Sequence, residues 1–375
     1  MRSAGMSFCL LALTLLGGWR AEAGPRDLSR LNLPPGFEIA VYAEVPEARQ
    51  MALSPAGILY VGSRNRGEVR AVIDRDGDGT AEKVVVIAQG LTMPTGLAWH
   101  EGSLYVAAVS QILRYDQIDT RLLAPPAPVV VSANFPSDRA HGWKYLAFGP
   151  DGWLYVPVGA PCNICLSDPP YASIQRLRPD GSAQETYASG IRNSVGMAFH
   201  PVTGELWFTD NGRDWLGDDQ PSCELNRATA AGQHFGYPFV HGQAIADPDF
   251  GKRKPPQAVT LPVLELGAHV APLGLTFYQG TQFPPDYHHA LLIAEHGSWN
   301  RSRKSGYRVT RVVLDKAGKL RARSPFITGW LAGEKAWGRP VDVLETPTGE
   351  VLISDDLAGL VYRVRYVGPA DAAPR

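Results

Sequence analysis

The chain has 375 residues, room for one large domain or two ordinary ones. Lys and Arg total 36 against 37 Asp and Glu, a net charge of −1, so nothing favours a nucleic-acid or anionic-membrane partner. Thirty-nine Gly and 31 Pro are too many for a helical protein and suit a turn-rich, all-β chain.

The first residues read as a secretory signal peptide over 1–23. Arg2 gives a short basic start, Phe8 to Leu16 an apolar run, and Ala21-Glu22-Ala23 a cleavage site. The apolar run is too short to span a bilayer, so no stable membrane insertion is expected. The mature chain, 24–370, is expected to be periplasmic or secreted, where disulfides persist. Cys9 leaves with the leader. Cys162, Cys165 and Cys223 remain: the first two can close on one another, or one of them can reach Cys223.

One pattern recurs along this mature chain, a turn followed by Gly-x-Leu-Tyr/Trp-Val. It appears at Gly57–Val61, Gly102–Val106, Gly152–Val156 and Gly204–Phe208, with looser copies at His289–Ile293 and Gly349–Ile353. The fourth residues stand at 60, 105, 155, 207, 292 and 352, offsets of 45, 50, 52, 85 and 60. Most copies follow an apolar strand ending near Pro, and several precede an alternating strand such as Tyr307–Val312. A period near 45 to 50 residues with several strands per repeat predicts a six-bladed β-propeller with long rim loops and no second domain. The longest offset holds an insertion, 232–264, expected on a rim where it helps build a site.

Candidate functional residues lie mostly in the turns. Asp74, Asp76 and Asp78, with Gly79 at the sixth position, start a calcium loop, although Val85 stands where an EF-hand needs Glu. This loop is expected away from the central mouth. His141 precedes the inner strand of the third blade and could take a proton from a hydroxyl. Arg192-Asn193 and Arg339 stand at matching places in later blades, and each Arg offers a fork for a planar anion. Between Asp210 and Glu224 lies a loop rich in acids and Gly, with Asp218 and Asp219 at its centre, of the kind that holds a hard cation. His296 to Arg301 adds donors and one aromatic face at the same mouth.

Taken together, His141 with Phe148–Tyr155, Gly190–Asn193, Asp210–Gly212 and Glu224–Asn226 resemble the soluble PQQ-dependent sugar dehydrogenases, the glucose/sorbosone dehydrogenase family, over roughly Leu31 to Val367. Pro161–Cys165 and His296–Arg301 look more like the L-sorbosone dehydrogenase branch than the glucose branch. The resemblance implies His141 as general base and Arg192 and Asn193 at the quinone edge. It implies Arg339 on the cofactor carboxylates, the Gly212 and Arg213 carbonyls on a calcium beneath PQQ, and Glu224 in a neighbouring calcium site. There are departures. Ala140 stands where the glucose branch has Asp, with Asp138 nearby, and Arg213 replaces a Pro. No Lys matches that branch's cofactor Lys, for which Arg301 or His296 can stand in. Pro94-Thr95 occupies the place of its active-site Gln.

The resulting expectation is an exported quinoprotein that oxidises an aldose or sugar aldehyde, L-sorbosone-like, with PQQ and calcium. It would pass electrons to a separate acceptor, a quinone or a cytochrome. The alternatives are a metal-dependent six-bladed lactonase and a non-catalytic ligand-binding propeller.

Overall fold

The computed structural model describes residues 27–368; the leader expected over 1–23, with Cys9, lies outside them. Six antiparallel sheets follow one another along the chain as blades of a propeller, and helical structure among the described residues amounts to three single 3₁₀ turns. No helix among these residues is long and apolar enough to cross a membrane.

Each repeat noted in the sequence is the second strand of a blade. These strands span Leu59–Ser63, Ser103–Ala107, Leu154–Val158, Leu206–Asp210, Leu291–Glu295 and Val351–Asp355. Five of the six are buried along their whole length, because neighbouring blades cover both faces. That is why they read as continuous apolar runs rather than alternations. The Gly opening the motif has a job too. Gly57, Gly102, Gly152, Gly204 and Gly349 all take left-handed turns with φ between 69° and 82°. In the loosest copy His289 adopts the same conformation, with φ 62°.

Apolar side chains collect between blades, one cluster per interface. Leu104 and Tyr60 join the first two blades. Trp207, Phe277 and Ile293 join the fourth and fifth, and Tyr278, Leu292, Ile353 and Tyr362 the last two. The ring closes through the N-terminus: Phe37–Glu44 is the outermost strand of the last blade, antiparallel to Leu360–Tyr366. Phe37 meets Phe283, Tyr287, Phe326 and Tyr366 at ring-centroid separations of 4.8 to 5.1 Å. This strand therefore fastens the sixth blade to the fifth.

The insertion adds Gln233–His234 in parallel to the third blade and a short hairpin, Val240–His241 with Ile245–Ala246. It ends in Leu264–Ala268, the outer strand of the fourth blade. It braces the fourth blade from outside and contributes nothing to the wall of the central cavity, contrary to the expectation that it builds the site.

Phe37→Ala should lower the denaturant-unfolding free energy by about 2 to 4 kcal/mol, through loss of aromatic contacts at the closing strand. Chemical unfolding followed by tryptophan fluorescence checks it, and an unchanged midpoint would show that Phe37 does not fasten the ring.

Candidate active site

At one mouth of the propeller axis lies a cavity of about 510 Å³, lined among others by Arg49, Arg64, His141, Trp143, Arg192, Asn193, Gly212, Asp214, His296 and Arg339. Its floor is an apolar plug of Val195, Leu273 and Val341, against which Trp143 packs. The wall is built by the repeat. In three blades the residue just after the second strand lines this mouth, Arg64, Asn211 and His296, and in the last blade Asp356 stands one contact behind. His141, Arg192-Asn193 and Arg339 enter from just before the first strands of their blades.

His141 is held in an unusual backbone conformation, φ 48°, of the kind that costs about 1 to 3 kcal/mol and gathers at functional sites. Gly159 makes room for it, since a Cβ there would lie 2.5 Å from the His141 Cβ. The ring Nδ1 donates to the Ala160 carbonyl at 2.8 Å, which leaves Nε2 as a bare acceptor. Burial, with the Arg192 charge beside it, pulls the imidazole pKa down to about 4. The ring is thus neutral throughout the physiological range. The carbonyl of Ala160, rather than Asp138, orients it; Asp138 instead accepts from Tyr171.

Arg192 reaches the cavity but is fully engaged. Its Nε donates to the Asn163 carbonyl at 2.8 Å. One terminal nitrogen serves the carbonyls of Asn211 and Gly212, at 3.1 and 2.9 Å. The other serves the Asn163 amide oxygen and Asp214, at 2.8 and 3.2 Å. Asn163 is presented by a loop that the Cys162–Cys165 disulfide closes, and Cys223 is a buried free thiol. The backbone N–H groups of Arg192 and Asn193 both donate to Asp210, at 2.8 and 2.6 Å.

The other guanidinium groups are less fully engaged. Arg49 pairs with Asp356 at 3.0 Å, and Asp356 accepts from His296 Nε2 at 2.7 Å. Burial outweighs that carboxylate and draws His296 down to about 4, while His296 and then Arg49 hold the Asp356 carboxyl well below the usual carboxylate range. Arg339 donates to the carbonyls of His296 and Gly297, and Arg64 lies 5.0 Å over the Trp143 ring. Among the described residues neither forms an ion pair with an acid. Two buried polar atoms in the wall are also unmatched: the Trp143 indole N–H and the Asn193 side-chain oxygen. Four guanidiniums around one cavity, with Asp214 the one carboxylate in its wall, are costly to assemble unless an anion joins them.

Several expected site residues stand elsewhere. Arg301 holds the Asp218 carbonyl at 2.9 Å and the Asp219 carboxylate at 2.8 Å, so these three latch two rim loops together outside the cavity. The Arg213 side chain, as distinct from the carbonyl expected on calcium, turns outward to Asp247, at 2.5 Å, which also binds His241. Glu224 is buried beneath the ladder opposite Asp210, accepting from Gly242 N–H and the Asn226 amide. Burial and the Asp210 charge push its carboxyl well above the usual range. Of the two carbonyls expected to hold calcium beneath a cofactor, that of Gly212 accepts from Arg192 at 2.9 Å, and the neighbouring Asp214 carboxylate accepts from Arg192 as well. This fork around a guanidinium differs in shape from the shell of six to eight oxygens that calcium takes. Asp74, Asp76 and Asp78 do come together, with ligand atoms within 4.8 Å, on the outer rim of the first blade. Glu82 closes that loop on the N–H of Arg75 at 2.9 Å.

The family model described as "Domain of unknown function (DUF7133)" matches residues 26–369. The chain belongs to this family. An uncharacterized protein of Borreliella burgdorferi is 31% identical to it over 362 residues, 90% of this chain and 91% of that one. Among solved structures, the calcium structure of Trichoderma reesei Carbohydrate-Active Enzymes Family AA12 is similar at TM-score 0.77 and 18% identity, covering 90% of this chain and 97% of that one. The holo form of the pyranose dehydrogenase PQQ domain from Coprinopsis cinerea is similar at TM-score 0.71 and 19% identity, over 89% and 97% of the two chains. The PQQ-bound aldose sugar dehydrogenase from Streptomyces coelicolor is similar at 0.64 and 20%, over 89% and 99%. At these identities the likeness establishes the propeller fold of the DUF7133 chain.

Arg49, Arg64, Trp143, Asn163 and Asp356 of this DUF7133 protein were not singled out in the sequence. The repeat carried the signal for two of them, because Arg64 and Asp356 occupy the place that His296 holds in its own blade.

His141 and His296 should be the last imidazoles to protonate on acidification, still neutral at pH 5. Folded values near 4 against 6.5 in the unfolded chain mean that their contribution to stability is complete above 6.5 and lost as pH falls toward 4. Histidine-labelled NMR titration checks this, with His141→Asn deleting one of the two resonances.

Proposed function

We propose that this protein is an exported quinoprotein dehydrogenase that binds PQQ at the axial cavity and oxidises an aldose or sugar aldehyde, sorbosone-like, for a separate quinone or cytochrome acceptor. The observation that carries it is the meeting of incompletely engaged guanidinium groups with a neutral imidazole whose Nε2 is uncovered. The names of the similar structures, a pyranose dehydrogenase PQQ domain and an aldose sugar dehydrogenase, support the same reading.

The residues present fit PQQ. Arg64 and Arg339 have donors for its carboxylates, the Trp143 indole N–H is an unmatched donor, and the Asn193 oxygen is an unmatched acceptor. The cavity is within the size range of small-molecule sites. When bound, the quinone supplies a two-electron acceptor for hydride. His141 Nε2 accepts the proton of the sugar hydroxyl being oxidised. Ala160 fixes the tautomer, and burial, with the Arg192 charge beside it, keeps the imidazole deprotonated. No step is routed through calcium, because the Gly212 carbonyl and the Asp214 carboxylate beside the cavity are bound to Arg192. A hydrolytic lactonase needs a free carboxylate base, and the one carboxylate in the cavity wall, Asp214, is paired with Arg192.

Asp74, Asp76 and Asp78 form a proposed calcium clip far from the chemistry. It stabilises the rim where Arg363 of the last blade donates to the Asp78 carbonyl at 2.7 Å. Calcium should raise the melting temperature relative to EDTA, and the double variant Asp76→Asn, Asp78→Asn should not respond.

Purified protein mixed with PQQ should show a saturable absorbance change, then dye-linked turnover on some member of a sugar panel. Absence of binding would sink the proposal. His141→Ala should keep PQQ affinity within a few-fold and lose roughly 10²- to 10⁴-fold in turnover. Arg339→Ala should weaken PQQ binding by about 10- to 150-fold, the worth of a charge-assisted hydrogen bond.

A further inference from the structure

We infer that Arg192 takes, within the fold, the position beside the cavity that a divalent cation would otherwise fill, so that the cavity binds its anionic ligand without calcium. The part of this inference that concerns PQQ rests on the function proposed above; the part that concerns the oxygen cage does not.

The argument is one of saturation and shape. A guanidinium has five N–H groups, and in Arg192 each meets an oxygen: the Asn163, Asn211 and Gly212 carbonyls, the Asn163 amide and the Asp214 carboxylate. These oxygens come from two loops that are distant in sequence. One is pinned by the Cys162–Cys165 disulfide and the other follows the second strand of the fourth blade. They fan out in a fork around a planar cation at 2.8 to 3.2 Å from its nitrogens. Calcium instead needs six to eight oxygens in a shell at 2.3 to 2.6 Å. The fork is also anchored from behind, since the backbone N–H groups at 192 and 193 both donate to the buried Asp210.

Two consequences follow for this chain's residues. Arg192 has no N–H left for a ligand, so it is a positioning residue acting through charge, where the sequence suggested a direct grip on a cofactor. Its charge does reach the reacting group, since it is the main neighbour, after burial itself, holding His141 in the neutral form. The direct anion contacts then pass to Arg64 and Arg339.

The test uses full-length mature protein carrying Asp76→Asn and Asp78→Asn, so that the outer-rim loop does not report. Terbium is the probe, because Trp143 in the cavity wall can sensitise its luminescence. With Arg192 present, no calcium-competed terbium signal should arise at the cavity. In Arg192→Met, which empties the fork, a signal should appear, and adding Asp214→Asn should weaken it by roughly tenfold or more. PQQ titrated into the Arg192 protein should bind with the same Kd, within about twofold, in EGTA and in calcium. The inference is overturned if terbium binds with Arg192 in place and Asp214→Asn removes it, or if EGTA weakens PQQ binding by about tenfold or more. If Arg192→Met does not fold, as judged by circular dichroism, the two measurements on the Arg192 protein still decide. PQQ binding in neither buffer overturns the function proposed above, and the terbium result then judges the cage alone.

Discussion

A buried guanidinium has to find a partner for every N–H, and the functional end of this propeller is arranged around meeting that demand for Arg192. Its side chain draws together the disulfide-closed loop at Asn163 and the loop from Asn211 to Asp214. Its backbone is tied to Asp210 on one side, and its carbonyl accepts from the Ala160 N–H at 2.8 Å on the other. Ala160 in turn accepts from His141. The imidazole is therefore oriented through the same short stretch of chain that the buried cation holds in place. Removing the cation would loosen the wall and the base together.

The cationic groups around the cavity divide into committed and open ones. Arg192 is spent on protein oxygens and Arg49 on Asp356, whereas Arg64 and Arg339 face the cavity without an acid. The two histidines divide similarly. His296 rests on a carboxylate; His141 rests on a carbonyl and leaves its second nitrogen bare. A neutral base beside uncompensated positive charge suits a reaction in which a proton leaves a substrate held next to an anionic ligand.

How much of this was legible in the sequence depended on whether a signal was periodic. The second strands are buried on both faces and carry an apolar run before their polar ends, so Leu59, Leu154 and Leu352 announce the blades. His141, Arg192 and Arg339 were found because they precede first strands at repeating positions. Arg64 and Asp356 obey the same periodicity, but a lone charged residue in the turn after a strand carries no signal of its own. Partner choice was another matter. An acid-rich run with Gly looks the same in sequence whether its carboxylates face a cation, a guanidinium or each other, and here Asp219 meets Arg301 while Glu224 lies opposite Asp210. The pairing of Cys162 with Cys165 needed the fold as well, since three thiols permit more than one bridge.

The strand at Phe37–Glu44 has a consequence for how the molecule comes into being. It is made first among the described strands, yet its partner, Leu360–Tyr366, is made last. Through nearly the whole of synthesis its edge is unpaired, and the first and fifth blades each wait for the sixth to cover an apolar flank. Such an open arc is vulnerable to edge-to-edge association until the final hairpin emerges. Contacts of this sequence separation are slow to form. A chain cut short before Leu360 is thus left as an unclosed crescent with two sticky ends, and the reward for completing the circle comes all at once with its last few residues.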